Sequence, residues 1–259
     1  MGKDASQRAG RAVMLRWAVA TFTIIDVGAF TPPRDRTGAM VLWAPLASLP
    51  LAVGAAGLTA LNLVLDLPWL AAVAVVALLA AGTRAMHLDA IADVTDALGG
   101  GWTPERAREI LHRGDVGPMG VVALVLMLAA QIAAIAQLAA TPRGWLLVGV
   151  AVLAARAAVT LACRRGLTPM PGSRLGASVA GSIKPAALTV SLVAATVLVV
   201  LAAWPQPWAG LVALLAWAGC AALVHRTSKR FGGVNGDVMG ATVEVASTIL
   251  LVGLAVLVR

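Results

Sequence analysis

Gly117-Pro118-Met119-Gly120-Val121-Val122-Ala123-Leu124-Val125-Leu126-Met127-Leu128-Ala129-Ala130-Gln131-Ile132-Ala133-Ala134-Ile135-Ala136-Gln137-Leu138-Ala139-Ala140 carries no charged side chain, and it decides the fold class. A helix rises about 1.5 Å per residue, so this run covers the roughly 30 Å of hydrocarbon in a bilayer. Similar runs of Ala, Val and Leu lie at residues 40–63, 67–83, 145–163, 185–203, 207–225 and 238–258. The 259-residue chain is 60% hydrophobic and only 12% charged, whereas soluble domains carry roughly 25% charged residues. Alternation with period two is absent, which excludes a membrane β-barrel. The expectation is an all-α, polytopic integral membrane helical bundle forming a single membrane-embedded domain over 1–259. It has about seven transmembrane helices plus an N-terminal re-entrant or interfacial segment.

The connections alternate in polarity. Those at 34–36, 84–116, 164–184 and 226–237 contain Arg and Lys, while those at 62–66, 141–143 and 205–207 are short and nearly uncharged. The positive-inside rule places the basic set in the cytoplasm of a multi-pass cell membrane protein. Trp43, Trp69, Trp145, Trp204 and Trp208 fall near span ends, as an aromatic belt requires. The basic N-terminus (1–16) and the Arg34/Arg36 loop both favour the cytoplasm, so residues 17–30 between them should not cross. That piece is short for a span and carries Asp26. In the connection 84–116, Thr103 and Pro104 predict a surface helix over 104–113, with Gly99-Gly100-Gly101 as a joint before it.

Net charge is +8, but the cations sit in loops beside apolar helices, which points to lipid headgroups or an anionic substrate and not to nucleic acid. Cys163 and Cys220 lie in apolar surroundings without metal-like spacing and read as small hydrophobes. No cleavable signal peptide stands out. No tandem repeat is evident, and the oligomeric state stays open, a homo-oligomer included.

Chemistry concentrates in Met86-His87-Leu88-Asp89-Ala90-Ile91-Ala92-Asp93-Val94-Thr95-Asp96. On a helix, Asp89, Asp93 and Asp96 fall at i, i+4 and i+7 and share one face. A plain solvated helix end mixes both charge signs, whereas three acids beside lipid call for a cation. Mg²⁺ on a phosphorylated substrate fits, because magnesium takes one or two carboxylates, waters and phosphate oxygens. His87 reads either as a packed histidine or as the general base for an attacking hydroxyl.

A second constellation is Gly232-Gly233-Val234-Asn235-Gly236-Asp237-Val238-Met239-Gly240-Ala241. Its glycines and the following helix start could receive a phosphate, or Gly236 and Gly240 could serve helix packing. Neither reading explains Asp237, a further candidate ligand, and the deeper Glu244 needs a partner. Arg156 lies in mid-span and also needs one. Arg113-Gly114-Asp115-Val116-Gly117-Pro118-Met119-Gly120 forms a turn into a span, and Arg164, Arg165, Arg174 and Lys184 could hold diphosphate oxygens.

Together these motifs resemble the cobalamin synthase family, the adenosylcobinamide-GDP ribazoletransferases, from about residue 22 to the C-terminus. The resemblance rests on His-Leu-Asp-x-x-Ala-Asp-x-x-Asp at His87 to Asp96, Gly-Gly-x-x-Gly-Asp-x-x-Gly-Ala at Gly232 to Ala241, Val-Gly-x-x-Gly at Val116 to Gly120, and Arg156. This chain departs from the pattern at Ala97, Asn235 and Asp26, and at Arg113-Gly114-Asp115. The resemblance implies a Mg²⁺-dependent transferase acting on adenosylcobinamide-GDP and α-ribazole, or its 5′-phosphate, with release of GMP at the cytoplasmic face. It implies catalytic roles for Asp89, Asp93, Asp96, His87 and Asp237, of which the four aspartates hold the metal. It also implies substrate contacts at Arg156, Asp115, Gly232, Gly233, Asn235, Gly236 and Lys184. A membrane alcohol phosphotransferase or prenyltransferase would share the acid motif but leave the Gly232–Ala241 stretch unexplained. A transporter would show paired interrupted helices near the midplane.

If 17–30 does not cross, single cysteines replacing Ser6 and Asp35 should label from the same membrane face. Labelling from opposite faces would refute the re-entrant reading.

Overall fold

The computed structural model describes residues 2–29 and 37–258, which form helices with no strands among them. Helix α1 (Gly2–Phe22) is followed in the sequence by α2 (Thr37–Val41), α3 (Ala44–Ala47) and α4 (Leu49–Leu65). Then follow α5 (Pro68–Gly82), α6 (Met86–Gly100), the short α7 (Pro104–Leu111), α8 (Pro118–Ala139), α9 (Gly144–Ala157) and α10 (Val159–Ala162). After α11 (Arg174–Val179), the long helices α12 (Pro185–Ala202), α13 (Ala209–Phe231) and α14 (Gly236–Leu257) complete the bundle. Arg34 and Arg36, on which the N-terminal topology argument leans, lie outside the described residues, as do the side chains of Lys3, Arg8 and Arg11.

The chain is a multi-pass membrane protein. Five helices are long and apolar enough to cross: α8, the continuous pair α9–α10, α12, α13 and α14. The remaining two expected spans are shorter, for identifiable reasons. Pro45 and Pro50 sit in the first turns of α3 and α4, so the run expected over 40–63 breaks at Trp43 and Ser48 and its long helix begins only at Leu49. Helix α5 ends at Gly82 and meets α6 at 87°, so no straight helix runs through residues 83–85. At this break Arg84 and Ala85 both adopt left-handed backbone, at φ 57° and 55°, a conformation that costs non-glycine residues energy and needs support from the surroundings. That support comes from α1: Arg84 donates to the Ala20 carbonyl and Ile24 N–H donates to the Gly82 carbonyl. The apolar part of α1, Ala12–Phe22, is too short to span. Helix α13 outruns its expected end at 225 because only Gly232, left-handed at φ 77°, stops it.

The two ends of the bundle differ. At one end the α4–α5, α8–α9 and α12–α13 turns are tied together. Asn62 donates to the Ala139 carbonyl at 3.0 Å and Arg143 to the Trp204 carbonyl at 3.0 Å. At the other end the long connections fold over the helices as a second core around Met170, Val179, Ile183, Phe231 and Val234. The expected surface helix is α7, and the Thr103 side chain accepts from Arg106 N–H as its cap. Valines 190, 193 and 197 and Leu201 of α12 face outward, as lipid-facing residues should.

Helices α6 and α14 cross closely at Gly240. A Cβ added there would lie 2.7 Å from the Ala90 Cβ. Gly240→Ala should therefore destabilise the detergent-solubilised protein by about 1–3 kcal/mol, as overpacked cores do. Gly57→Ala, with nothing within 4 Å of its new methyl, should leave the melting temperature unchanged or raise it.

Candidate active site

The left-handed break at Arg84–Ala85 restarts the chain as α6 and places Asp89 in the first turn of that helix. Asn235 starts α14 in the same manner: its side-chain oxygen accepts from Val238 N–H at 3.0 Å, which puts Asp237 in the first turn. The Asn235 amide also donates to the Asp237 carboxylate. Negative charge is favoured at both positions by the exposed N–H groups of a helix start. Because the two helices pack antiparallel through Gly240, Asp89 and Asp237 line one cavity of about 170 Å³. Its other walls are His87 and Gly236, Thr21 and Phe22 of α1, Met40 and Val41 of α2, and Leu175 and Val179 of α11. Asp93, one turn on from Asp89 and half-buried, lies within electrostatic reach of Asp89, Asp237 and Asp96.

Asp96 shares the helix face but has other partners. It is buried at 8% exposure and accepts from Gly117 N–H at 2.7 Å and Gly120 N–H at 2.9 Å. Neither glycine could carry a Cβ, which would fall 2.6 Å or less from the Asp96 oxygens. Both carboxylate oxygens thus hold the start of α8. Thr95 and Ala97 offer no hint of this in the sequence. The signal lies in the Val116–Gly120 turn, whose glycines leave room for a carboxylate.

His87 is 3% exposed, and its Nδ1 lies 3.8 Å from Glu244 Oε1 with no hydrogen-bond partner. Its ring separates the cavity from a buried polar cluster. In that cluster Gln131 donates to Glu244 at 2.9 Å and contacts Thr248 at 2.9 Å, and Arg156 lies within electrostatic reach of Glu244. Arg156 is 1% exposed and donates to the Val152 carbonyl. The two mid-span charges that each demanded a partner therefore lie within electrostatic reach of one another. Gln131 went unremarked in the sequence, although an amide within an apolar helix is a signal of the same kind.

The glycine pair has a packing role. A Cβ on Gly233, at φ 151°, would lie 2.5 Å from the backbone of Pro169 and Met170. That space lets Val234 pair with the crossing segment through Met170 N–H to the Val234 carbonyl and Val234 N–H to the Thr168 carbonyl. Gly232 caps α13, and Arg108 of α7 donates to the adjacent Phe231 carbonyl. Gly236 borders the cavity. Asp115 and Lys184 are exposed, and neither lines the cavity. His112, at the end of α7, lies within electrostatic reach of Asp237, a contact unforeseen in the sequence. On α7 itself Arg106 and Arg113 hold the Glu109 carboxyl below its ordinary range by hydrogen bonding, and Glu105 is lowered chiefly by the hydrogen bond it accepts from its own backbone and then by Arg108.

Among the described residues, no three His, Cys, Asp or Glu side chains close around a metal position. No Arg or Lys forms an ion pair with Asp89, Asp93 or Asp237 there. An all-oxygen, uncompensated set of this kind fits Mg²⁺, which uses few protein carboxylates and completes its shell with water and phosphate oxygens.

The sequence profile of the cobalamin-5-phosphate synthase family matches residues 14–255. The chain is 38% identical over 240 residues to an adenosylcobinamide-GDP ribazoletransferase of Nocardioides sp., covering 89% of this chain and 93% of that protein. It is 36% identical over 250 residues to the protein of that name from Halorubrum lacusprofundi, covering 90% and 92%. With the Corynebacterium efficiens protein of that name it shares 38% identity over 200 residues, 74% and 71% of the two chains. No solved structure matches the chain.

Asp96→Ala should leave the Gly117 and Gly120 N–H groups unpaired and cost about 1–3 kcal/mol each. Thermal unfolding should show that loss, while Asp89→Ala, on an exposed residue, should unfold within a degree or two of the parent.

Proposed function

The chain belongs to the cobalamin-5-phosphate synthase family, and on that premise we propose that it joins adenosylcobinamide-GDP to α-ribazole, or its 5′-phosphate, in the last steps of coenzyme B12 assembly. The 5′-hydroxyl of the ribazole attacks the cobinamide-side phosphorus of the diphosphate. A new O–P bond forms there, the bond from that phosphorus to the bridging oxygen breaks, and GMP departs with that oxygen. The observation that carries this reading is the convergence of Asp89 and Asp237, from distant parts of the sequence, on one cavity whose described lining holds no Arg or Lys.

Asp89, Asp93 and Asp237 would hold Mg²⁺. When bound, it would neutralise the diphosphate charge and stabilise the leaving oxygen. Asp96 orients this set by fixing α6 against α8. His87, whose ring lines the cavity with the Glu244 carboxylate behind it, is placed to take the hydroxyl proton. Gln131 holds the Glu244 carboxylate behind His87, and Arg156, within electrostatic reach, offsets its charge. A cavity of about 170 Å³ admits a diphosphate and a ribose hydroxyl, so the corrin stays at its mouth. The basic connections at this end of the bundle support its facing the cytoplasm.

Purified protein incubated with adenosylcobinamide-GDP, α-ribazole and Mg²⁺ should release GMP, and chelation should stop it. Asp89→Asn or Asp93→Asn should reduce turnover on the order of 100-fold or more while folded protein remains. The effects of Asp89→Ala and Asp237→Ala should be strongly non-additive, as for groups acting as a unit. Additive losses would separate the two motifs into independent roles.

A further inference from the structure

A second cavity, of about 410 Å³, opens at the same end of the bundle, between the start of α7 and the end of α13. It is lined by Trp102, Pro104, His225, Arg226, Lys229 and Arg230. That volume lies in the usual range for small-ligand sites. Its charge is one-sided. The nearby carboxylates are already engaged, Glu105 with Arg108 at 3.0 Å and Glu109 with Arg106 and Arg113 at 2.7 and 3.1 Å. Among the described residues Arg226 and Lys229 have no acidic partner, while Arg230 is pinned to the Gly101 carbonyl. Trp102 stands over them 86% exposed. An indole at a bilayer interface can serve as an anchor, but an anchor requires neither a cavity nor converging cations.

The position relative to the acid cluster is informative. Helix α7 starts at Pro104, on this cavity, and ends against His112, which lies within electrostatic reach of Asp237. Eight residues of helix span about 12 Å, comparable to the reach of a nucleoside from its phosphate. We infer that the Trp102–Arg226–Lys229 cavity binds the nucleoside-phosphate half of the substrate and retains it as the leaving nucleotide. The base stacks on Trp102, Arg226 and Lys229 meet base and ribose oxygens, and the phosphate extends along α7 toward Asp237. The inference rests on the transferase reading above for the position of the diphosphate.

The test uses the full-length protein in nanodiscs of neutral lipid, with GMP binding followed by calorimetry. Trp102→Ala should weaken GMP about tenfold, Trp102→Phe should restore it, and the double variant Arg226→Ala/Lys229→Ala should weaken it by at least as much. Arg143→Ala, at the opposite end of the bundle, should have no effect. In turnover assays the pocket variants should raise KM for adenosylcobinamide-GDP and leave the apparent affinity for α-ribazole unchanged. A wild-type protein that binds no GMP, or pocket variants that bind it like the parent, would overturn the inference. So would variants that keep GMP binding but lose preferential retention of phosphatidylglycerol over phosphatidylcholine, since the cavity would then be a headgroup site. GMP binding that depends on the pocket in a protein unable to join the two substrates would instead sink the transferase reading and leave a nucleotide site standing.

Discussion

The Cβ-free contact of Gly240 against Ala90 sets how near α14 can come to α6, and the candidate chemistry depends on that approach. The two helices run antiparallel, so the contact fixes their register as well as their distance. It places His87 opposite Glu244 deep in the bundle and puts Asp93 within electrostatic reach of Asp237 nearer the end. The register is held from both sides. Asp96 clamps the far end of α6 to the start of α8, and the left-handed break at Arg84–Ala85 is tied to α1. A methyl group at the crossing would disturb both levels at once, because interiors pack densely and transmit small displacements.

Much of this architecture was legible in the sequence. Length and hydropathy located the five helices long and apolar enough to cross, since a run of some 20 apolar residues has few other uses, but not the 21-residue α1, whose first half is polar. Alternation of basic and uncharged connections sorted the two ends correctly: the Asn62–Ala139 and Arg143–Trp204 bonds join the short turns, and the Phe231–Arg108 and Arg230–Gly101 bonds join the long ones. The breaks were less visible. Pro45 and Pro50 are punctuation that the hydropathy average hides, and the 87° bend at residues 83–85 carries no glycine to announce it.

Residue roles were legible where one element decided them and obscure where two elements met. The i, i+4, i+7 spacing put Asp89, Asp93 and Asp96 on one face, as found, but could not show that the Gly117 and Gly120 N–H groups occupy Asp96. Gly232-Gly233 has the composition of a phosphate cradle. In the fold these residues serve a helix stop and the approach of Val234 to residues 168–170. Charge in mid-span was an informative signal, because an ion there is so costly that Arg156 and Glu244 lie within electrostatic reach of one another and Glu244 accepts from Gln131.

Depth explains which acids are committed and which are free. Glu244, at 9% exposure, has Gln131 and Arg156 beside it, and Asp96, at 8%, has two backbone N–H donors. Burial without such partners would cost several kcal/mol per charge. Asp93 and Asp237 are half-buried and Asp89 is exposed. These three have no ion-pair partner among the described residues, although Asp237 accepts from Asn235. Water can solvate them in the absence of a ligand, so the fold can carry them uncommitted. Asp89 and Asp237 line one cavity with Asp93 within electrostatic reach of both, and their mutual repulsion favours any divalent cation that a diphosphate brings with it. The bundle thus spends its internal hydrogen bonds on the acids that must be buried, and leaves unpaired those that stand where an anionic substrate can arrive.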